Sequence, residues 1–463
     1  MSRPDPPPQA SRTKTPRGMA THLPAGALLR RYVQDTILST FFNWGYREII
    51  PPVFEYLDVL SSGLSSGLLE KSYKFVDRDS GKLMLLRPDI TPQVAKMVAG
   101  ILADEPKPLR LCYYGNVFRH EESHAGREQE MFQVGCELAG VASPDADAEI
   151  IAVASEAIKK FGIEDFKVVT GHAGYLCGMI SCIKSLLNNP LSSDDEHALK
   201  AAIGRKDAAL MESMLDGAGV ERAAKKNMLQ ALTLFGGEEI FGKAAKIVNN
   251  KESFDAIGNL RQIYDILCLY GLRDHILIDL CELRGGDYYT GMFFEMFHPG
   301  IAYPLGRGGR YDNLIGRFGY DCPSTGFAID VESIIAMKEM YGAFFINDSI
   351  RYLVTGQDTN MQDAIGLVRQ LRDGGHRVVM DTGLDSVAAA VKYAKKNNIE
   401  KVITIEGAGK RNKQFSVIDV KTGRKTGVSR KRLVICKGSR GQGFKGSSDI
   451  NSLESSNPRP LAP

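Results

Sequence analysis

The sequence predicts an α+β protein that has an antiparallel sheet with flanking helices, followed by a small α/β domain. The first observation is a series of short strand-like runs with turn residues between them, at residues 47–54, 73–77, 83–86 and 110–118. The second is the return of strand signals after a helical stretch, at residues 275–281, 292–297 and 325–330. The third is strand and helix alternation after residue 351, which is typical of a parallel sheet.

Apolar residues recur at helical spacing in three stretches of the first part of the chain. One helix is predicted over residues 28–42 and ends before Gly45. Residues 146–160 and about 193–270 are rich in Ala, Leu, Glu and Lys at the same spacing. We therefore expect a helical insertion at about 190–270, within a core that spans residues 21–340.

The last part of the chain indicates a separate domain over residues 350–437. The predicted elements alternate, with strands at 352–355, 377–381 and 401–405 and helices at 361–372 and 385–397. Residues 1–20 lack periodicity, and residues 438–463 contain few apolar side chains. We expect both ends to be disordered because they bury too little apolar surface to fold.

Composition and charge exclude several classes of protein. The 58 Lys and Arg against 55 Asp and Glu give a net charge of +3, too small over 463 residues for a general electrostatic hold on nucleic acid. No apolar run approaches the ~18 residues that span a bilayer, and no signal peptide is apparent, so we expect a cytoplasmic protein without a membrane partner. The eight cysteines form no CxxC pair and no zinc-type cluster, so we expect no metal site.

Residues 113–140 predict a hairpin of two strands joined by a polar loop. On the return strand the alternation puts Gln133 and Glu137 on one face, and Arg119 lies at the end of the opposing strand. Such a set of donors and acceptors suits a small zwitterion. The residues alone leave a second interpretation open, which is an ordinary solvated strand face.

Three further motifs combine polar side chains with glycine or proline: LLRPDITPQ at 85–93, LRGGDYYTG at 283–291 and GRGGRYD at 306–312. Glycine lets a ligand approach the backbone closely, Arg binds a carboxylate or phosphate, and Tyr lines an aromatic pocket. Glycine turns with incidental arginines are the alternative. Each motif alone is therefore weak evidence for a site.

Together the motifs resemble, in order and spacing, the catalytic core of histidyl-tRNA synthetase, a class II aminoacyl-tRNA synthetase. GYREIIPPVFE, with its proline at Pro52, is similar to motif 1, and FRHE at 118–121 is similar to the start of motif 2. LRGGDYYTG resembles the histidine-specific loop, and GFAIDVESI at 326–334 resembles motif 3. The resemblance implies a class II synthetase-like antiparallel sheet, and residues 351–435 are similar to the anticodon-binding domain.

The sequence departs from the synthetase pattern at positions that bind ATP. Ser333 stands where motif 3 carries an arginine that holds the ATP phosphates, and serine cannot replace that cation. In motif 2, Glu122 and Gln129 replace arginines, and Met131 replaces the aromatic residue that supports adenine. The resemblance therefore implies that the nucleotide site has been lost, so we expect no cofactor and no catalytic residues.

The positions that bind histidine in the resembled family are kept. The resemblance implies that Glu137 accepts from the imidazole N–H and that Tyr289 lines the ring. It implies that Gln133, Arg119 and Arg284 hold the carboxylate and its surroundings, and that Asp89 and Thr91 hold the ammonium. Asp89 replaces a longer glutamate of the synthetase. Tyr288 and Tyr311 are expected to help close the site.

A histidine site without an ATP site resembles the synthetase paralogues that serve as regulatory subunits of ATP phosphoribosyltransferase. RPDIT and the stretch GRKDAAL at 204–210 fit these paralogues better than the synthetase. The resemblance implies a chain without its own activity that activates a short-form ATP phosphoribosyltransferase catalytic subunit and binds L-histidine for feedback inhibition. It also implies a homodimer within a hetero-oligomer, with motif 1 as the dimer element.

Two other functions stay open from the sequence. The first is an active histidyl-tRNA synthetase with an unusual nucleotide site. The second is a tRNA-binding or RNA-binding pseudo-synthetase, because residues 410–437 contain many lysines and arginines and one acidic residue, Asp419. A solvated basic edge explains that stretch more simply, so we do not expect a nucleic-acid partner.

Overall fold

The computed structural model describes residues 14–120, 129–186, 192–217, 219–248, 250–281, 289–340, 349–355, 361–406, 414–430 and 433. The chain divides into two compact units, Met1–Phe344 and Phe345–Pro463. Each unit has its own buried apolar core. None of the helices in the described ranges is long and apolar enough to cross a membrane.

The first unit is built around a nine-stranded sheet with the strand order β1-β5-β6-β12-β11-β10-β7-β9-β8. In chain order the strands of this unit are β1 (Arg47–Glu48), β2 (Phe54–Tyr56), β3 (Lys74–Val76), β4 (Leu83–Leu86), β5 (Leu109–Phe118), β6 (Glu130–Ala139), β7 (Lys167–His172), β8 (Phe235–Gly236), β9 (Ile276–Asp279), β10 (Met292–Phe297), β11 (Gly306–Arg310) and β12 (Ser324–Asp330). Only the β1–β5 and β7–β9 pairs of the large sheet are parallel. The predicted α+β class with a largely antiparallel sheet is confirmed.

Twelve helices flank these strands in the described part of the first unit. They are α1 (Pro24–Asn43), α2 (Leu57–Leu60), α3 (Ser66–Glu70), α4 (Thr91–Ala99), α5 (Pro144–Lys159), α6 (Ala173–Leu186), α7 (Ser193–Gly204), α8 (Ala208–Gly217), α9 (Arg222–Ala231), α10 (Glu239–Ala244), α11 (Lys251–Leu269) and α12 (Val331–Met340). Helix α1 buries Val33, Ile37 and Phe41, which are spaced to lie on one face, against the main core.

The strand predicted over residues 47–54 is wrong in its extent. Residues 49–53 separate β1 from β2, and β2 joins a second sheet in the order β2-β4-β3. Pro51 and Pro52 cause the break because proline has no N–H to donate to a ladder. Their carbonyl oxygens instead accept hydrogen bonds from the side chains of Arg87 and Gln93.

Strand β11 was not among the predicted strands because its sequence, GRGGR, is rich in glycine. The neighbouring strands explain why glycine is used there. A Cβ atom on Gly309 would lie 2.6 Å from the Met292 carbonyl oxygen, and one on Gly306 would lie 2.8 Å from the Ala328 carbonyl oxygen. Close approach of β10 and β12 therefore requires glycine in a strand that composition alone would assign to a turn.

The second unit contains a five-stranded sheet in the order β14-β13-β15-β16-β17. Its elements are β13 (Ile350–Thr355), α13 (Met361–Asp373), β14 (Val378–Met380), α14 (Val387–Lys396), β15 (Ile399–Glu406), β16 (Gln414–Asp419) and β17 (Lys425–Val428). Strand β13 pairs in parallel with β14 and β15, as the alternation predicts. The antiparallel strands β16 and β17 were not predicted.

Candidate functional site

Six of the residues predicted to bind histidine line one cavity on a face of the large sheet. They are Asp89, Thr91, Arg119, Gln133, Tyr289 and Tyr311. The cavity is also lined by Arg307, Gly308, Gly326, Phe327, Ala328 and Asp330. Glu137, also predicted to bind, is not among the lining residues but accepts hydrogen bonds from two of them, Thr91 and Tyr311. Arg284 and Tyr288 lie outside the described residues. The structure therefore brings together side chains that are more than 200 positions apart in sequence.

Strands β6 and β12, which pair antiparallel, form one side of the cavity. Asp330 lies opposite Gln133, Ala328 opposite Gly135, and Gly326 opposite Glu137. Because alternate residues of a strand share a face, Gln133 and Glu137 lie on the same face, and of these two Glu137 stands beside a glycine. A Cβ atom on Gly326 would overlap the Glu137 carboxyl group, so glycine there is required for Glu137 to fit.

Glu137 is only 2% exposed and accepts hydrogen bonds from three hydroxyl groups. Thr91 Oγ1 donates to Glu137 Oε1 at 2.7 Å, and Tyr113 OH donates to the same oxygen at 3.3 Å. Tyr311 OH donates to Glu137 Oε2. These bonds favour the ionised carboxylate, but burial outweighs them and raises the pKa of Glu137 to about 8.

One wall of the cavity comes from the loop that leads into α4. Asp89 Oδ1 accepts a hydrogen bond from the Thr91 backbone N–H at 3.2 Å. This side-chain turn orients the first residue of the helix, so the Thr91 hydroxyl reaches Glu137. Arg87 of the same motif is buried and donates to the Pro51 and Asn116 carbonyl oxygens, so its role is structural.

Two arginines line the cavity from different strands. Arg119 follows β5, and its Nε donates to the Pro88 carbonyl oxygen at 2.7 Å, which fixes the guanidinium plane. Arg307 lies on β11, with Nη1 3.9 Å from Glu295 Oε1. Fixed guanidinium groups are suited to bind a ligand carboxylate.

Arg310 lies on the same strand as Arg307 but has a structural role. Its guanidinium donates to Asp147 on α5, to Asp312 and to the Val141 carbonyl oxygen, at 2.9 to 3.1 Å. Both Arg310 and Asp147 are buried. This ion pair attaches β11 to α5 and thereby fixes the position of the next residue, Tyr311.

Arg307, Asp330 and Tyr113 are candidate site residues that sequence reasoning did not single out. Arg307 belongs to GRGGRYD and Asp330 to GFAIDVESI, and both motifs were recognised. Their strand alternation could have shown which side chains share the face of Gln133 and Glu137. That signal required the β11–β12 and β6–β12 registers, which the sequence does not provide.

The positions that bind nucleotide in the resembled synthetase are buried or occupied by this chain. Ser333 is 1% exposed on α12, and Met131 is buried on β6. The Gln129 backbone N–H donates to the Gly18 carbonyl oxygen at 2.6 Å, and its side chain accepts from Tyr73. Residues 14–20, within the stretch expected to be an extension, thus contact the start of β6. Glu122 lies outside the described residues.

Residues 18–334 match the family model of histidyl-tRNA synthetase. Curated relatives carry a more specific name. A protein from Geobacter sulfurreducens named ATP phosphoribosyltransferase regulatory subunit is 36% identical over 392 residues, which cover 85% of this chain and 88% of the relative. The chain belongs to the ATP phosphoribosyltransferase regulatory subunit family. A second member, from Desulforamulus reducens, is 35% identical over 85% of this chain and 96% of its own length.

Solved structures agree with this family and its fold. A chain from Bacillus halodurans described as an ATP phosphoribosyltransferase regulatory subunit/histidyl-tRNA synthetase matches with a TM-score of 0.74 and 27% identity, over 85% of this chain and 98% of that chain. A histidyl-tRNA synthetase from Nostoc sp. PCC 7120 also gives a TM-score of 0.74, at 21% identity over 91% of this chain and 98% of its own. The second match shows the shared fold alone. The ATP phosphoribosyltransferase regulatory subunit family thus has the class II synthetase fold predicted from the motifs.

Proposed function

We propose that this chain is a regulatory subunit of ATP phosphoribosyltransferase that binds L-histidine and acts on a separate short-form catalytic chain. It has no catalytic activity of its own in this proposal. Histidine binding starts no reaction in this chain. The fraction of chains with bound histidine instead rises with the concentration of histidine, the end product. Feedback then follows if the histidine-bound and histidine-free states act differently on the catalytic partner.

The observation that carries this proposal is the combination of charges in one cavity. Arg119 and Arg307 supply cations for a carboxylate, and Asp89 and Asp330 supply negative charge that complements an ammonium group. Tyr289 and Tyr311 supply aromatic walls. A free amino acid with an aromatic ring has all three complementary features, whereas an apolar or singly charged ligand would leave buried charges unpaired.

Glu137 supports histidine over other aromatic amino acids. A carboxylate has about four acceptor positions, and three of those on Glu137 receive hydroxyl groups. In the ionised form of Glu137, the remaining position can accept the imidazole N–H. Phenylalanine has no such donor, so it would leave this acceptor unsatisfied in a buried site.

The buried positions of Ser333 and Met131 support a regulatory rather than catalytic role. Adenylate formation places negative charge on the phosphates, which requires fixed cations. Ser333 provides none, and the start of β6 is in contact with Gly18. The relatives' name supports a catalytic partner chain.

An exposed apolar surface around β2 supports self-association. Ile50 is 83% exposed, and Val53 and Phe54 are also exposed. Phe54 and Phe75 pack edge to face across the three-stranded sheet, so the surface is ordered as well as apolar. A patch of this kind favours a partner surface, and we propose a second copy of this chain.

Two assays test the proposed function. A short-form ATP phosphoribosyltransferase catalytic chain should gain activity when this chain is added, and L-histidine should then inhibit it. The purified chain should give no histidine-dependent ATP/pyrophosphate exchange. Measurable exchange would favour an active synthetase, and the absence of both activation and co-elution would reject the regulatory role.

Self-association has its own test by light scattering. Ile50→Glu should shift the chain from dimer toward monomer, because it places a charge in the proposed interface. Leu210→Glu is the matched control, since Leu210 is an exposed apolar residue on α8, a helix that packs against α7 and α9. A monomeric unaltered chain would contradict the proposal.

A further inference from the structure

Gln133 carries a buried acceptor without a partner in the described part of the chain. The residue is 6% exposed and lines the cavity. Its side-chain oxygen Oε1 accepts no hydrogen bond from any described residue. Buried polar atoms are normally hydrogen-bonded, so an orphaned acceptor beside a cavity indicates a place for a donor of the ligand.

Asp330 fixes the other end of the same amide group. The two residues lie directly opposite each other in the β6–β12 ladder, and Gln133 Nε2 donates to Asp330 Oδ1 at 3.0 Å. An ionised carboxylate accepts hydrogen bonds and cannot donate them, so only the NH₂ end of the amide can face Asp330. The carbonyl oxygen of Gln133 is therefore the end that is available to a ligand.

A carbonyl oxygen suits the ammonium group of an amino acid and repels its carboxylate. The sequence resemblance associates Gln133 with the carboxylate and its surroundings, but the contact with Asp330 opposes that role. Asp89, expected to hold the ammonium, has Oδ1 engaged with the Thr91 backbone N–H. Its side chain is also one methylene shorter than a glutamate. A second set of acceptors for the ammonium is therefore useful at this site.

We propose that Asp330 is a positioning residue for ammonium recognition: it holds Gln133 as an acceptor and adds a negative charge beside it. This inference rests on the proposed binding of L-histidine and goes beyond it. It gives Asp330, a residue of the motif GFAIDVESI, a role in specificity through its contact with Gln133. The pair Gln133–Asp330 then distinguishes an amino acid from the same molecule without its amino group.

Calorimetry with two ligands tests this role directly. The ligands are L-histidine and 3-(imidazol-4-yl)propionate, which keeps the ring and the carboxylate but lacks the ammonium group. Asp330→Ala should lower the affinity for L-histidine by about ten-fold or more, because the lost interaction involves a charged group. Its affinity for the propionate should change by less than about two-fold, so the preference for L-histidine falls.

Asp330→Asn is the conservative variant. Its side-chain oxygen can still accept from Gln133 Nε2, but the charge is lost, so the preference should fall by about two-fold to five-fold. If Asp330→Ala does not fold, this isosteric variant carries the test, and an unchanged preference would overturn the proposal. Asp321→Asn, which removes the same charge at an exposed residue, should leave both affinities unchanged.

The failures of the two proposals are distinguishable. If Asp330→Ala weakens both ligands equally, Asp330 has a structural role, and the inference fails while histidine binding stands. If the unaltered chain does not bind L-histidine at all, both the proposed function and this inference are overturned.

Discussion

The two ends of β6 differ in what surrounds them. Gln133 lines the cavity and pairs with Asp330 of β12, and Glu137 accepts hydrogen bonds from two residues that line the cavity, Thr91 and Tyr311. Gln129, just before the strand, is in contact with Gly18 and Tyr73. Both ends belong to the motif that resembles synthetase motif 2. One strand thus contributes Gln133 to a cavity, while the part expected to bind nucleotide is covered by residues of the same chain.

This difference explains how a synthetase fold can serve regulation. Binding and activation of an amino acid use adjacent but separable parts of one sheet face. In the proposed function, replacement of cations at the nucleotide positions removes phosphate stabilisation and leaves the amino-acid contacts in place. The proposal therefore rests on the side chains along β6 and not on the fold alone.

The largest expected effect is a loss of stability when the buried ion pair between β11 and α5 is broken. Arg310→Ala leaves the buried Asp147 without its partner, which should lower the free energy of unfolding by about 3–5 kcal/mol. Urea unfolding followed by the fluorescence of Trp44, the only tryptophan, reports on the first unit. Arg307→Ala, on the same strand but half exposed, should cost much less stability and should weaken L-histidine binding. Equal destabilisation by both variants would contradict the distinction.

The second effect is a pH dependence of stability from Glu137. Burial raises its folded-state pKa to about 8 from an ordinary value of 4.5, so the folded chain binds a proton that the unfolded chain releases. This contribution is therefore fully present below about pH 4.5 and is lost as the pH rises toward 8. Between pH 5 and 8 the loss should be on the order of 3 kcal/mol.

Glu137→Gln provides the control for this pH dependence. The amide does not ionise, so the loss of stability between pH 5 and 8 should be smaller in the variant than in the unaltered chain. Unfolding at both pH values, again followed at Trp44, measures the difference. Parallel pH profiles would mean that Glu137 is ionised in the folded state across this range.

A smaller effect is expected on ligand binding by the same substitution. Glu137→Gln keeps the shape of the side chain but adds a donor where the imidazole N–H needs an acceptor. Above about pH 8, where Glu137 is ionised, a hydrogen bond to the charged group contributes roughly 1.5–3 kcal/mol, so the affinity for L-histidine measured there should fall by about ten-fold to a hundred-fold. Activation of the catalytic partner should persist. Lost activation with intact histidine binding would indicate that Glu137 is structural.

The smallest effect is expected at the covered end of β6. Met131→Leu conserves volume, and Met131 is not among the residues that line the cavity. The affinity for L-histidine should change by less than about two-fold, although Met131 is only two residues from Gln133 and on the same face of the strand. A ten-fold loss of affinity for L-histidine, measured by calorimetry, would contradict the distinction between the two ends of β6.

The sequence predicted the fold class, the main strands and half of the cavity residues for identifiable reasons. The alternating side-chain direction of a strand over residues 130–139 puts Gln133 and Glu137 on one face, and the motifs around Asp89, Tyr289 and Tyr311 follow the family order. Local patterns carry this information because side-chain direction in a strand has a period of two.

Pairing between distant strands was the information that the sequence lacked. Arg307 and Arg310 occur three residues apart in one motif, yet one lines the cavity and the other forms a buried ion pair with Asp147. Asp330 lies in a recognised motif, but its contact with Gln133 depends on the β6–β12 register. Such contacts are set by tertiary packing and were therefore not predicted.

The measurement that tests the central claim most directly is a pair of calorimetric titrations on the unaltered chain, one with L-histidine and one with ATP and Mg²⁺. The proposed function predicts saturable binding of one L-histidine per chain and no binding of ATP over the same concentration range. Affinity for ATP comparable with that for L-histidine would contradict it, because the covered end of β6 would then have to accept a nucleotide.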